Sequence, residues 1–148
     1  MINLNNPSLE QTVLSTLMSI NNAWDQADFL TANDFSFSSH RAIFESIELI
    51  AKSGKHPDAV LVADHLLGRH ILDGIGGEQA IVKMLSDSPA IFNIKPHAQK
   101  LAELGRRRNA DAVLTQAIAS VRDNLNEPTD AILGACVMAI DALSAATE

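Results

Sequence analysis

The sequence predicts an all-α fold: a compact multi-helix globular subdomain over residues 1–95, then an antiparallel helical hairpin over residues 96–148. Three observations predict it. Aliphatic residues recur at helical spacing through the longer segments, the primary sign of an amphipathic helix. Alanine and leucine supply much of the 47% apolar content, aromatics are only 4% and tyrosine is absent, a balance that favours helices over strands. Short runs of Gly, Pro, Asn and Asp separate the segments, and these residues cap or stop helices. At 148 residues the chain suits one domain, or one core with an appendage.

The first segment, "NNPSLEQTVLSTLMSI", opens a helix. Pro7 suits the first turn, Glu10 suits the positive N-terminal end, and Leu9, Val13, Leu17 and Ile20 share one face. Trp24, Phe29 and Leu30 belong to a short second element that Asn33-Asp34 breaks. Ser38 or Ser39 is placed to cap the next helix, on which Ile43, Phe44, Ile47, Ile50 and Ala51 form one apolar stripe. Gly54 ends it as the residue after the cap. Pro57-Asp58 starts a third helix, which Gly68 is expected to end. "LDGIGGEQ" predicts a tight glycine turn, and "EQAIVKMLSD" a short helix with Ile81, Met84 and Leu85 on one side. "SPAIFN" predicts a loop.

The character changes at Asn93. A long helix capped there, with Pro96 tolerated in its first turn, is expected to reach about Leu125 and carries Leu114, Ala117, Ile118, Val121 and Leu125. "NEPTD" is a turn. A last helix from Thr129 to Ala146 carries Leu133, Val137, Ile140 and Leu143. A short turn between long helices means an antiparallel hairpin. Two uses of its stripe stay open: packing on the preceding core, or self-association through Leu114, Ile118, Val121, Leu133, Val137 and Ile140. Ala131, Ala135, Ala139 and Ala142 would let another helix approach closely.

Composition excludes several functions. A net charge of −7 makes the chain a poor binder of phosphate backbones, so no direct DNA binding is expected. The single cysteine, Cys136, forms no internal disulfide and suits a reducing cytoplasm; between Leu133 and Ile140 it reads as a small buried hydrophobe. The N-terminus has neither a basic region nor the apolar run of a signal peptide, and no apolar run spans a membrane. His40, His56, His65, His70 and His97 lack a zinc-ligand pattern. "DGIGGE", with Gly74, Gly76 and Gly77, lacks both the lysine and the strand-loop-helix setting of a phosphate loop. Asp34, Glu45 and Glu48 show no paired acid-base arrangement. Catalytic, cofactor and metal sites are therefore expected to be absent. The one basic cluster, Arg106, Arg107 and Arg108, reads either as a solvated helix surface or as an ion-pairing contact with an acidic partner or another copy. Gly105 before it costs the helix about 1 kcal/mol relative to Ala.

Asp34-Phe35, His40-Arg41, Ile43-Phe44, Gly54 and Asp58 stand in an order that resembles the N-terminal domain of DnaB-type replicative helicases. Glu10, Gln11, Val13 and Leu14 resemble that family's opening helix, Gly76 and Gly77 its double-glycine turn, and Pro89, Asn93 and Ala98 the loop into its hairpin. The motifs run in order from Glu10 to Arg108. The chain departs from the family at His97, where an aromatic is usual, and at Lys100, Ala110 and Asp111, near positions that are usually apolar. The resemblance implies a domain that precedes a linker and a RecA-like motor. ATP and Mg2+ belong to that motor, which is absent from this chain. It also implies pairing through the hairpins, three pairs forming the collar of a hexamer, and docking of primase, with a helicase loader as a further partner. The arginines 106–108 would serve partner docking. An alternative is a free-standing adaptor or inhibitor of phage or plasmid type with the same fold.

Overall fold

The computed structural model describes residues 3–145. Among these residues there are six α-helices and no strand: α1 Pro7–Ser19, α2 Ser38–Lys52, α3 Ala59–Gly68, α4 Gly77–Asp87, α5 Ile94–Asp123 and α6 Thr129–Ala145. The expected last residue of α6, Ala146, lies outside the described residues. Short 3-10 turns, Ala23–Gln26, Ala32–Asp34 and Asp73–Ile75, stand between the helices. The turn at Ala32–Asp34 replaces the simple break expected there, closed by the Thr31 N–H donating to Asp34 Oδ2 at 2.8 Å.

The caps show how local chemistry sets these boundaries. Asn6 accepts from the Leu9 N–H at 3.1 Å and opens α1. Asp58 does the same for α3, accepting from the Leu61 N–H at 2.9 Å. Neither Ser38 nor Ser39 caps α2. Both lie inside the helix, and Phe37 holds the cap position without a side-chain hydrogen bond. At the other end Gly54 takes φ +88, while the N–H groups of Gly54 and Lys55 bond back to Ala51 and Ile50. That pattern requires a left-handed residue, which glycine adopts without a Cβ clash. α3 ends at Gly68, as expected. Gly68 is the last helical residue, and the left-handed position falls on His70, φ 62.

The chain divides into two compact units, Met1–Glu103 and Leu104–Glu148. The division lies past the 95/96 boundary expected from sequence. Ile94, Ala98 and Leu101, spaced as one helix face, are 1%, 0% and 0% exposed, so the first turns of α5 complete the core of the first unit. That core is built on the α2 stripe: Ile43, Phe44, Ile47 and Ile50 are buried with Val13, Leu14 and Leu17 of α1, Val62 and Leu66 of α3, and Ile81 and Met84 of α4. Phe44 stacks on Phe35 with centroids 4.9 Å apart and meets Trp24 at 5.9 Å. The 88–93 loop is tied to α1 at two points. Ser88 Oγ donates to Gln11 Oε1 at 3.2 Å, and the Ile91 N–H donates to Thr16 Oγ1 at 3.1 Å.

Among the described residues one buried hydroxyl makes no hydrogen bond, Ser15 Oγ in α1. A hydroxyl withdrawn from water without a partner destabilises the fold. Ser15→Ala is expected to raise the unfolding free energy by about 1 kcal/mol, read as a higher urea midpoint at unchanged slope.

Candidate functional site

Two features of the structure bear on function: a buried polar cluster in the first unit and an exposed apolar surface on the second.

The polar cluster centres on Glu10, which is 0% exposed. It stands in the first turn of α1, but its carboxylate is not a surface charge at a helix end. Oε1 accepts from the Ser36 N–H at 3.0 Å and Oε2 accepts from the Ser36 hydroxyl. His40 Nδ1 lies 2.9 Å from Oε1, and because an ionised carboxylate only accepts, the ring nitrogen is the donor. Burial by itself raises the Glu10 pKa. The hydrogen bonds from His40 and Ser36, with the charge His40 carries when protonated, outweigh burial and hold the carboxyl below its ordinary 4.5. Beside it Arg41 Nη1 donates to the Phe35 carbonyl at 3.1 Å. The cluster joins α1 to the start of α2 and fixes the intervening Phe35–Phe37 segment. The carboxylate and the ring are both buried, Glu10 at 0% and His40 at 6% exposure.

Sequence reasoning missed this cluster, although Glu10 and His40 both stand in motifs it singled out. The remaining histidines are dispersed. His65 Nδ1 lies 2.7 Å from Ser46 Oγ, His56 Nε2 donates to the Met18 carbonyl at 3.0 Å, and His70 and His97 are exposed. Among the described residues no group of His, Cys, Asp and Glu gathers as a metal site would.

The hairpin is α6 with the part of α5 beyond residue 103. α5 runs through Gly105 without a break. The residues expected for self-association are all exposed: Leu114 51%, Ile118 53%, Val121 49%, Leu133 51%, Val137 57% and Ile140 44%. On each helix they recur at i, i+4 and i+7, one continuous stripe per helix. Val113, Ala117, Ile132, Cys136 and Ala139 line a groove of about 420 Å³ along the two helices. Cys136 is half-buried among them. Ala135 and Ala139 belong to this groove, so close approach and bulky contact are assigned to different sides of the hairpin. Arg106 and Arg107 are exposed and Arg108 is half-buried. No helix among the described residues is long and apolar enough to cross a membrane.

Comparisons with known proteins agree with this architecture. Residues 2–103 match the family model described as the DnaB-like helicase N terminal domain. The replicative DNA helicase DnaB of Pasteurella multocida is 29% identical over 90 residues, covering 60% of this chain and 19% of that protein. The crystal structure of the N-terminal domain of DnaB helicase from Mycobacterium tuberculosis superposes with a TM-score of 0.85 at 22% identity, covering 96% of this chain and 99% of that one. The structure of a DnaB-like replicative helicase and its interactions with primase gives a TM-score of 0.73 at 20% identity, over 93% of this chain and 31% of that one. The chain thus spans about a fifth of the length of the Pasteurella relative. The family match covers more than half of the chain, including the residues that build the buried cluster and the core, and the chain belongs to the DnaB-like helicase N terminal domain family.

Proposed function

We propose that this chain is the non-catalytic N-terminal domain of a replicative DNA helicase, and that it works by assembly. The observation that carries the reading is the pair of exposed aliphatic stripes on the hairpin, α5 Leu114, Ile118 and Val121 and α6 Leu133, Val137 and Ile140. Large apolar side chains grouped at helical spacing mark interaction surfaces, because water contact with a contiguous patch is unfavourable. Pairing of two hairpins buries these stripes. Three such pairs form the collar of a hexamer, and the collar docks primase. The solved helicase described with its primase interactions supports that partner for this fold. The arginine cluster 106–108 supplies positive charge for an acidic surface on primase or on a helicase loader. The domain acts in the cytoplasm. ATP hydrolysis and DNA contact belong to a motor domain elsewhere in the helicase, and this domain performs neither.

A two-fold interface meets the same residue from both sides, so one substitution strikes it twice. Val137→Asp places two carboxylates in the contact and is expected to raise the dimer dissociation constant by at least about a hundredfold, two carboxylates being buried without partners. Sedimentation velocity across a concentration series reads the shift, and circular dichroism shows whether the helices persist. A Val137→Asp chain that remains dimeric at wild-type concentrations contradicts the hairpin interface.

A further inference from the structure

The first unit holds a cleft whose lining residues all lie outside the hairpin. Its volume is about 440 Å³, within the range of clefts that hold small ligands. It opens where the C-terminal ends of α1 and α2 come together. Leu17 and Ile20 of α1 and Trp24 are among its apolar lining residues, and Asn21, Asn22, Asp25, Lys55 and His56 are its polar ones.

Both walls are fixed by the backbone. Asn22, at φ 67, turns the chain after α1 so that the Ala23–Gln26 turn brings Trp24 onto Phe44. Gly54, at φ +88, turns the chain after α2, and His56 then reaches back to donate to the Met18 carbonyl at 3.0 Å. Trp24 is only half-buried, so its indole packs on Phe44 and still contributes to the cleft.

The electrostatics favour a cation. Helix C-termini carry partial negative charge, and here two converge. α1 has no basic residue in its last turn, and Lys52 in the last turn of α2 pairs with Glu48 at 3.4 Å. Asp25 adds a full negative charge to the lining. Lys55 is exposed, on a long stem free to turn to water. An aromatic wall beside a carboxylate fits a planar cation better than a spherical one. A guanidinium lies flat on an indole while its N–H groups fork to a carboxylate, whereas an ammonium is a compact, strongly hydrated point charge.

We propose that this cleft receives one arginine side chain from a peptide segment of a partner protein. The guanidinium lies against Trp24 and donates to Asp25, and the methylene stem covers Leu17 and Ile20. The site stands independently of hairpin pairing.

Trp24 is the single tryptophan, so indole fluorescence of the full chain reports on the cleft directly. The probe is N-acetyl-arginine amide, titrated at low salt, with N-acetyl-lysine amide and N-acetyl-leucine amide in parallel. The expected result is a saturable change with the arginine probe at millimolar concentration, at least about fivefold tighter than with the lysine probe, because only the guanidinium stacks and forks. Asp25→Asn, with circular dichroism unchanged, is expected to weaken the arginine probe at least about tenfold by removing the paired charge. No saturable change, equal binding of the lysine or leucine probe, or an arginine titration unaltered in Asp25→Asn overturns the proposal.

Discussion

Phe44→Ala is expected to destabilise the chain by about 3–5 kcal/mol, through the lost transfer of the ring and the cavity left behind. The ring is 0% exposed and lies between Phe35 at 4.9 Å and Trp24 at 5.9 Å. Its helix, α2, contributes Ile43, Ile47 and Ile50 to the same core, so the surroundings are held by several elements and cannot collapse freely into the void. Domains of this kind are stable by only about 5–15 kcal/mol in all, so the loss is a large part of the total. A urea titration measures it. A midpoint that scarcely moves at unchanged slope shows that the ring is not part of the core.

Removing the buried carboxylate should be of similar severity. Glu10→Ala strands the Ser36 N–H, the Ser36 hydroxyl and the His40 ring, and breaking a buried charged pair from one side costs about 3–5 kcal/mol. The same carboxylate predicts a pH dependence whose sign is fixed. Its pKa in the folded chain lies below the ordinary 4.5. Stability from Glu10 is therefore fully present above that ordinary value and is lost as pH falls through the lower, folded value. Other carboxylates titrate in the same range, so the informative quantity is the difference between the wild type and Glu10→Gln. Their urea midpoints should lie apart at neutral pH and converge as pH drops below about 4. A gap that stays constant down to about pH 3 shows that the charge of Glu10 is not what holds the cluster.

The α2 stripe was legible in the sequence because its signal is local: Ile43, Phe44, Ile47 and Ile50 repeat with the helical period, and all are buried. Gly54 was legible for the same reason, since its demand for a left-handed backbone is met within a few residues. The Glu10 cluster was not. Its members are 26 and 30 residues apart, and each alone reads as an ordinary polar residue near a helix end. The same long-range contact explains the mistaken cap at Ser38 or Ser39. Glu10 of another helix organises this helix start by taking the N–H and hydroxyl of Ser36. The change of character at Asn93 suggested a subdomain boundary at 95/96, but the burial of Ala98 and Leu101 carries the core past it. In the hairpin the sequence identified the aliphatic residues without dividing them between sides. The structure separates Ala135 and Ala139, which line the groove, from Leu133, Val137 and Ile140, which stand outside its lining.

The central claim is that this domain acts by assembly through its hairpin. Sedimentation equilibrium of the wild-type chain, from low micromolar concentration to about 100 μM, tests it most directly, because that range brackets an ordinary micromolar dissociation constant. The account predicts a mass that climbs from monomer to dimer across the series. A mass that stays monomeric up to about 100 μM contradicts it, since the aliphatic stripes of α5 and α6 would then remain in water without serving a pairing surface.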